Sequence, residues 1–198
     1  MFTCARLGAL CLIAGITACL ATVTLPVAAH ADPAVGVAFH VRFYHSRLCL
    51  DIPSASFSDR IQLQQYYCIQ QQQNQRWRLE LAVFDYGAQR QYYRIRSALT
   101  GKCVTIDGYI AVDRNYYALL SDGTRVVQYT CSPNWTSQWF TLVSTDRDGY
   151  YKVRNYHTEK CLNVSQGSTS IQAPVIQYAC GGYWFQGDDN MKLRFFLY

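Results

Sequence analysis

Six of the nine cysteines fall along the chain in three pairs: Cys49 and Cys68, Cys103 and Cys131, Cys161 and Cys180. The residues around the pairs match at fixed offsets. Ten residues before the first cysteine of each pair stand Phe39, Tyr93 and Tyr151. Eight before stand Val41, Ile95 and Val153, and seven before stand Arg42, Arg96 and Arg154. Three before stand Ser46, Thr100 and Thr158. Two before the second cysteine of each pair stands a tyrosine: Tyr66, Tyr129 and Tyr178. Such agreement defines an internal repeat of about 54–58 residues, with units at about 39–92, 93–150 and 151–198.

Each unit opens with an aromatic-x-aliphatic alternation, which is the period of a strand. VVQYTC at 126–131 and VIQYAC at 175–180 read the same way. PSASFSD, LTG, SDG, DRDG and SQG supply turns between them. Helical periodicity is weak throughout, so the expectation is all-β, with several short strands per unit. Six cysteines allow 15 pairings. One disulfide inside each unit is the simplest pairing that respects the symmetry: Cys49–Cys68, Cys103–Cys131 and Cys161–Cys180. Each would add roughly 3 kcal/mol by restricting the unfolded chain. The arginine repeated in every unit reads as a structural hydrogen-bond donor.

Before the repeats, LGALCLIAGITACLATVTL is almost wholly apolar and ends in Ala29-His30-Ala31. A basic residue, an apolar core and a small-x-small ending predict a secretory signal peptide over 1–31 and a secreted domain over 32–198. Ile16-Thr17-Ala18-Cys19 is similar to a lipobox, but apolar residues continue past Cys19, which argues against a lipid anchor. No other apolar run is long enough to span a bilayer. The six cysteines outside the leader are an even number, as disulfides in an exported chain require.

The sequence carries formal charge +5, of which Arg6 in the leader contributes one. That suits wall polymers or acidic glycans. Lysine is scarce and the arginines are scattered along the chain, so no nucleic-acid partner is expected. Sixteen tyrosines and few charges point to contacts made by neutral hydrogen bonds and stacking.

The first unit contains Cys49-Leu50-Asp51-Ile52, then Gln64-Gln65-Tyr66-Tyr67-Cys68, then Asn74-Gln75-Arg76-Trp77. These stretches resemble the Cys-x-Asp-aliphatic, Gln-x-aromatic-x-Cys and Asn-Gln-x-Trp motifs of the ricin-type (R-type) lectin family. The resemblance implies a β-trefoil of three repeats and a sugar pocket formed by Asp51, Gln64, Tyr66 and Asn74. It assigns Trp77 to the core and Gln75 to bracing the loop. The chemistry suits the task. A carboxylate accepts from neighbouring hydroxyls, an amide both donates and accepts, and a tyrosine face packs on the C–H side of a pyranose.

The other units depart from the motif. In the second, Thr105 replaces the Asp and Val127 the Gln. Trp139 stands for the motif Trp, with Thr136 and Ser137 where Asn-Gln belongs. Asp107 is a remote substitute for the missing acid. In the third, Asn163 replaces the Asp and Ile176 the Gln, but Tyr178 and Asn190 are kept. Both later sites are read as degenerate, with Asn163, Tyr178 and Asn190 the candidates for a weak second one. Asp188-Asp189 reads as a solvated turn, and KLRFFLY as the strand that closes the barrel.

No catalytic constellation, metal-ligand spacing or cofactor fingerprint stands out. The expectation is a carbohydrate-binding lectin with one intact site, and not an enzyme. The alternative is a protein-interaction module, such as a toxin-delivery subunit or a hydrolase inhibitor, since two of the three sites depart from the motif.

Overall fold

The computed structural model describes residues 33–108, 121–181 and 188–197. The leader expectation lies outside these residues, as does much of the stretch between Cys103 and Cys131, whose separation of 28 exceeds the 19 of the other two pairs. Among the described residues no helix is long and apolar enough to cross a membrane.

The first repeat forms β1 (Ala38–Phe43), β2 (Cys49–Asp51), the short pieces β3 (Ile61–Gln62) and β4 (Gln64–Tyr66), and β5 (Arg76–Asp85). The second forms β6 (Arg90–Ser97), β7 (Cys103–Ile106), β8 (Val126–Tyr129) and β9 (Phe140–Ser144). The third forms β10 (Tyr151–Asn155), β11 (Cys161–Val164), β12 (Val175–Tyr178) and β13 (Lys192–Phe196). The first and last strand of each repeat build a closed ring, in the order β1, β5, β6, β9, β10, β13 and back to β1. The inner strands of each repeat form the hairpins β2–β4, β7–β8 and β11–β12. Neighbouring hairpins touch through β3–β8 and through the bridges Arg125–Ile176 and Gln64–Pro174. Six barrel strands and three hairpins about a pseudo-threefold axis make the β-trefoil, and KLRFFLY does supply the closing strand.

Strand alternation fills the barrel. Phe39, Val41 and Phe43 of β1 point inward and are buried, as are Trp77 and Leu79 of β5 and Ile95 of β6. The register puts Trp77 beside Phe39, Phe140 beside Tyr93 and Leu193 beside Tyr151. Trp77, Phe140 and Leu193 are therefore equivalent, and all three are fully buried. This corrects the reading of the second repeat: Phe140, not Trp139, holds the place of the motif tryptophan, and Gln138 holds the place of Gln75.

All three disulfides form within repeats, with Cα separations of 5.0, 5.1 and 5.0 Å. The repeats are then stitched to one another by a glutamine triad. Gln65, Gln128 and Gln177 are fully buried. Gln65 donates to the carbonyls of Ser168 and Ser170. Gln128 donates to those of Ser56 and Ser58, and Gln177 to that of Ser121. Each buried amide thereby finds its acceptors on loop carbonyls of the preceding repeat, which satisfies the amide and ties the repeats together. The repeated arginine is a structural donor in the second repeat, where Arg96 Nε donates to the Gly101 carbonyl at 2.7 Å. The solvated-turn reading of Asp188 fails. Asp188 is buried and pairs with Lys152 at 2.6 Å.

Candidate functional site

Asp51 ends β2, and Gln64 begins β4 directly opposite it. After the disulfide, the chain returns through a single 3-10 turn at Gln73–Gln75. Its position is fixed by the backbone of Ile52, whose N–H donates to the Asn74 carbonyl, and by Trp77, whose Nε1 donates to the Leu50 carbonyl at 3.1 Å. Gln75 braces the turn. It accepts from the Ile69 N–H and donates to the Tyr67 carbonyl.

Three amides converge on Asp51. Gln64 Nε2 donates to Oδ1 at 2.8 Å, Asn74 Nδ2 to Oδ2 at 2.7 Å, and Gln75 Nε2 to Oδ2 at 3.1 Å. Asn74 spends its other N–H on the Ile52 carbonyl. Asp51 is only 2% exposed. Burial pushes its carboxyl above the usual range, and the hydrogen bonds from Gln64 and Gln75 oppose that rise. A carboxylate has about four acceptor positions, so the protein takes three and leaves one, on Oδ1. Asp51 can therefore accept from one sugar hydroxyl and not from several neighbouring ones.

The amides change what the cluster presents. The N–H groups of Gln64 and Asn74 turn inward to the carboxylate, so the carbonyl oxygens of these two amides are left over. Among the described residues nothing donates to Asn74 Oδ1 or Gln64 Oε1. Together with the open side of Asp51, these atoms make a surface of acceptors. Tyr66 stands two residues along β4, half-buried, its ring edge-on to Tyr67 at 5.5 Å. The structure thus brings Asp51, Gln64 and Asn74 into one hydrogen-bonded cluster, with Tyr66 on the same hairpin.

The equivalent position in the second repeat has lost this chemistry. Thr105 opposes Val127, and Gln138 donates to the Thr105 hydroxyl at 3.0 Å. Asp107 does not substitute for the acid. It pairs with Arg60 at 3.1 Å and Arg125 at 2.9 Å. In the third repeat Asn190 Nδ2 donates to Asn163 Oδ1 at 2.9 Å, so these two residues meet as Asn74 and Asp51 do. Tyr178 lies exposed on β12, but Ile176 opposes Asn163, and the buried Met191 stands in place of the glutamine brace. Asn190 Oδ1 is enclosed without a hydrogen-bond partner, unlike its counterpart on Asn74.

The glutamine triad was missed by sequence reading, although QY recurs before every second cysteine as QYYC, QYTC and QYAC. Gln64, one residue earlier, is present once; the structural glutamine beside it is present three times.

Among curated protein sequences none matches the chain. Solved structures do. A designed threefold-symmetric protein, ThreeFoil, is 33% identical over 80% of this chain and 96% of its own, with a TM-score of 0.63. An exo-β-1,3-galactanase from Clostridium thermocellum matches at 20% identity, over 84% of this chain but 32% of its own, with a TM-score of 0.65. A ricin B-like lectin of Macrolepiota procera, solved in complex with lactose, matches at 16% identity over 84% and 99%, with a TM-score of 0.58. At those identities the last two show the fold alone. The model of the ricin-type beta-trefoil lectin domain-like family matches residues 30–114 and 83–178, and the chain belongs to that family.

Proposed function

We propose that the protein is a secreted lectin that binds one sugar ring in its first repeat, through Asp51, Gln64, Asn74 and Tyr66. The observation that carries this reading is the inward turn of the three amides onto Asp51. It leaves a group of oxygen acceptors, which suits a ligand that donates several hydroxyls. A sugar hydroxyl on Oδ1 would make a charge-assisted bond, the strong kind. The face of Tyr66 would cover the apolar side of the ring.

A pocket this small binds weakly alone, and clustered glycans or oligomers would raise affinity through effective concentration. The lactose complex of the Macrolepiota lectin makes galactosides the first sugars to try. Glycan-array binding should fall below detection in Asp51→Ala and Asn74→Ala. Unchanged binding in both would refute the pocket. The alternative, a protein-interaction module, draws on the second repeat, which keeps the glutamine brace and Tyr129 but has lost the acid and both amides of the site. A stoichiometric protein partner with no glycan binding would favour it.

A further inference from the structure

A belt of arginines crosses the outside of the barrel, and the sugar pocket does not use it. Strand alternation places it there. Arg42 lies between the buried Val41 and Phe43 on β1. Arg76 and Arg78 flank the buried Trp77 on β5, and Arg94 and Arg96 flank Ile95 on β6. Arg194 follows Leu193 on β13 and is exposed.

Register then sets like charges against each other. Arg42 is paired with Arg194, and Arg78 with Arg96. Directly opposed side chains stand about 4.5–5.5 Å apart at Cβ, and like charges there are destabilising. Arg76 is paired with His40, two residues from Arg42, so the row runs without a break across β13, β1, β5 and β6. Arginines that are scattered in sequence are gathered in space.

Counter-charge is scarce. Glu80 meets Arg96 at 3.1 Å, and beside Arg194 on β13 the carboxylates of Asp146 and Asp189 are taken up by Lys192, each at 2.9 Å. Among the described residues, no carboxylate lies within 4 Å of Arg42, Arg76, Arg78, Arg94 or Arg194. The Nε–H groups of Arg42 and Arg76 are enclosed without a hydrogen-bond partner. Six arginines against one glutamate leave five positive charges, as many as the formal net charge of the whole sequence, +5. Opposed like charges and orphaned donors break local rules of stability, and such breaks mark function.

We propose that this belt binds an anionic polysaccharide, carboxylated or sulfated, that continues out of the first-repeat pocket; this rests on the lectin reading above. Two observations favour a glycan over another polyanion. The turn at 73–75 that carries Asn74 runs directly into Arg76, so the belt begins at the edge of the pocket. The pocket itself is lined with acceptors and suits a neutral, hydroxyl-bearing face, which leaves acid groups to the belt. Guanidinium forks match carboxylate and sulfate in bidentate geometry.

The test is binding of dextran sulfate and polygalacturonate, beside dextran and methyl-esterified polygalacturonate, over a salt series. Wild type, the double variant Arg78→Ser/Arg194→Ser and the pocket variant Asp51→Thr are compared. Arg78 and Arg194 are both exposed, so their loss spares the fold. Wild type should bind both acidic polymers and neither neutral one, more weakly as salt rises. The double variant should lose at least about tenfold, with a flatter salt dependence, because two charge-assisted contacts are gone. Asp51→Thr should keep dextran sulfate binding, so that failure of the pocket and failure of the belt are read separately. Equal binding of acidic and neutral polymers, or an unaffected double variant, overturns the proposal. So does tighter binding of double-stranded DNA than of either acidic polysaccharide at the same salt.

Discussion

The turns at Gln73–Gln75 and Thr136–Gln138 have the same structure and carry different chemistry. Each ends in a fully buried glutamine that accepts a backbone N–H from the loop and donates to a backbone carbonyl. Each leads into a strand whose first large ring, Trp77 or Phe140, fills the barrel. Above the first turn sit Asp51, Gln64 and Asn74. Above the second sit Thr105, Val127 and Ser137. The second repeat keeps its hairpin, brace and core without any acid, so the fold does not need one. Burial pushes the Asp51 carboxyl toward its neutral form, and the hydrogen bonds from Gln64 and Gln75 oppose that. The equivalent position in the second repeat holds a threonine, so the carboxylate serves something other than the fold.

The strongest way to sharpen this comparison is to remove the brace from each repeat. Gln75→Ala and Gln138→Ala should each destabilise by about 1–2 kcal/mol, since each removes two hydrogen bonds to part-buried backbone groups. Urea denaturation measures both. A large effect in the first repeat alone would mean that the brace serves the site and not the fold.

Acid should break the difference between the repeats next. Burial raises the folded-state pKa of Asp51, so its ionisation costs stability as pH rises through that value. Hydroxyl donors favour the charged form, so sugar binding is full above the free protein's Asp51 pKa. It should weaken by up to about tenfold per pH unit below it. Titration calorimetry across that range, beside Asp51→Thr, isolates the carboxylate. A flat profile in wild type would contradict its role.

A third comparison concerns the turn before each first cysteine. Arg47, Gly101 and Glu159 occupy the same place with φ of 62°, 69° and 55°. Only glycine adopts that region without strain. Glu159→Gly should therefore stabilise by up to about 1 kcal/mol, read as a higher melting temperature. Gly101→Ala should do the opposite.

The smallest effect is a gain. Asn163→Asp with Ile176→Gln restores acid and amide in the third repeat, where Asn190 already points at position 163. About a threefold rise in avidity for a clustered glycan is expected. No rise would mean that the missing glutamine brace, replaced by Met191, decides whether that site forms.

Much of this was legible in the sequence. The fixed offsets around the cysteines gave the repeat, the pairing and the strands, because an alternation buried on one side leaves a period of two. The first-repeat motif pointed to Asp51, Gln64 and Asn74, which do converge. What escaped depends on register and depth. Trp139 and Phe140 are adjacent aromatics, and only pairing with Tyr93 shows which one faces the core. Asp188 looks like a surface acid until Lys152 is found beside it. The arginine belt lies on strands distant in sequence, and only their pairing brings Arg42 to Arg194 and Arg78 to Arg96.

The central claim is that the first repeat differs from the second by a sugar site and not by a structural need. Exchanging Asp51→Thr, Gln64→Val and Asn74→Ser together gives the first repeat the side chains of the second. Titration calorimetry with a glycan that wild type binds, with a thermal melt on the same samples, reads both halves of the claim. The expected result is one saturable site in wild type and none in the triple variant, with a melting temperature equal or higher. Undiminished binding by the triple variant, or its failure to fold, would contradict the claim.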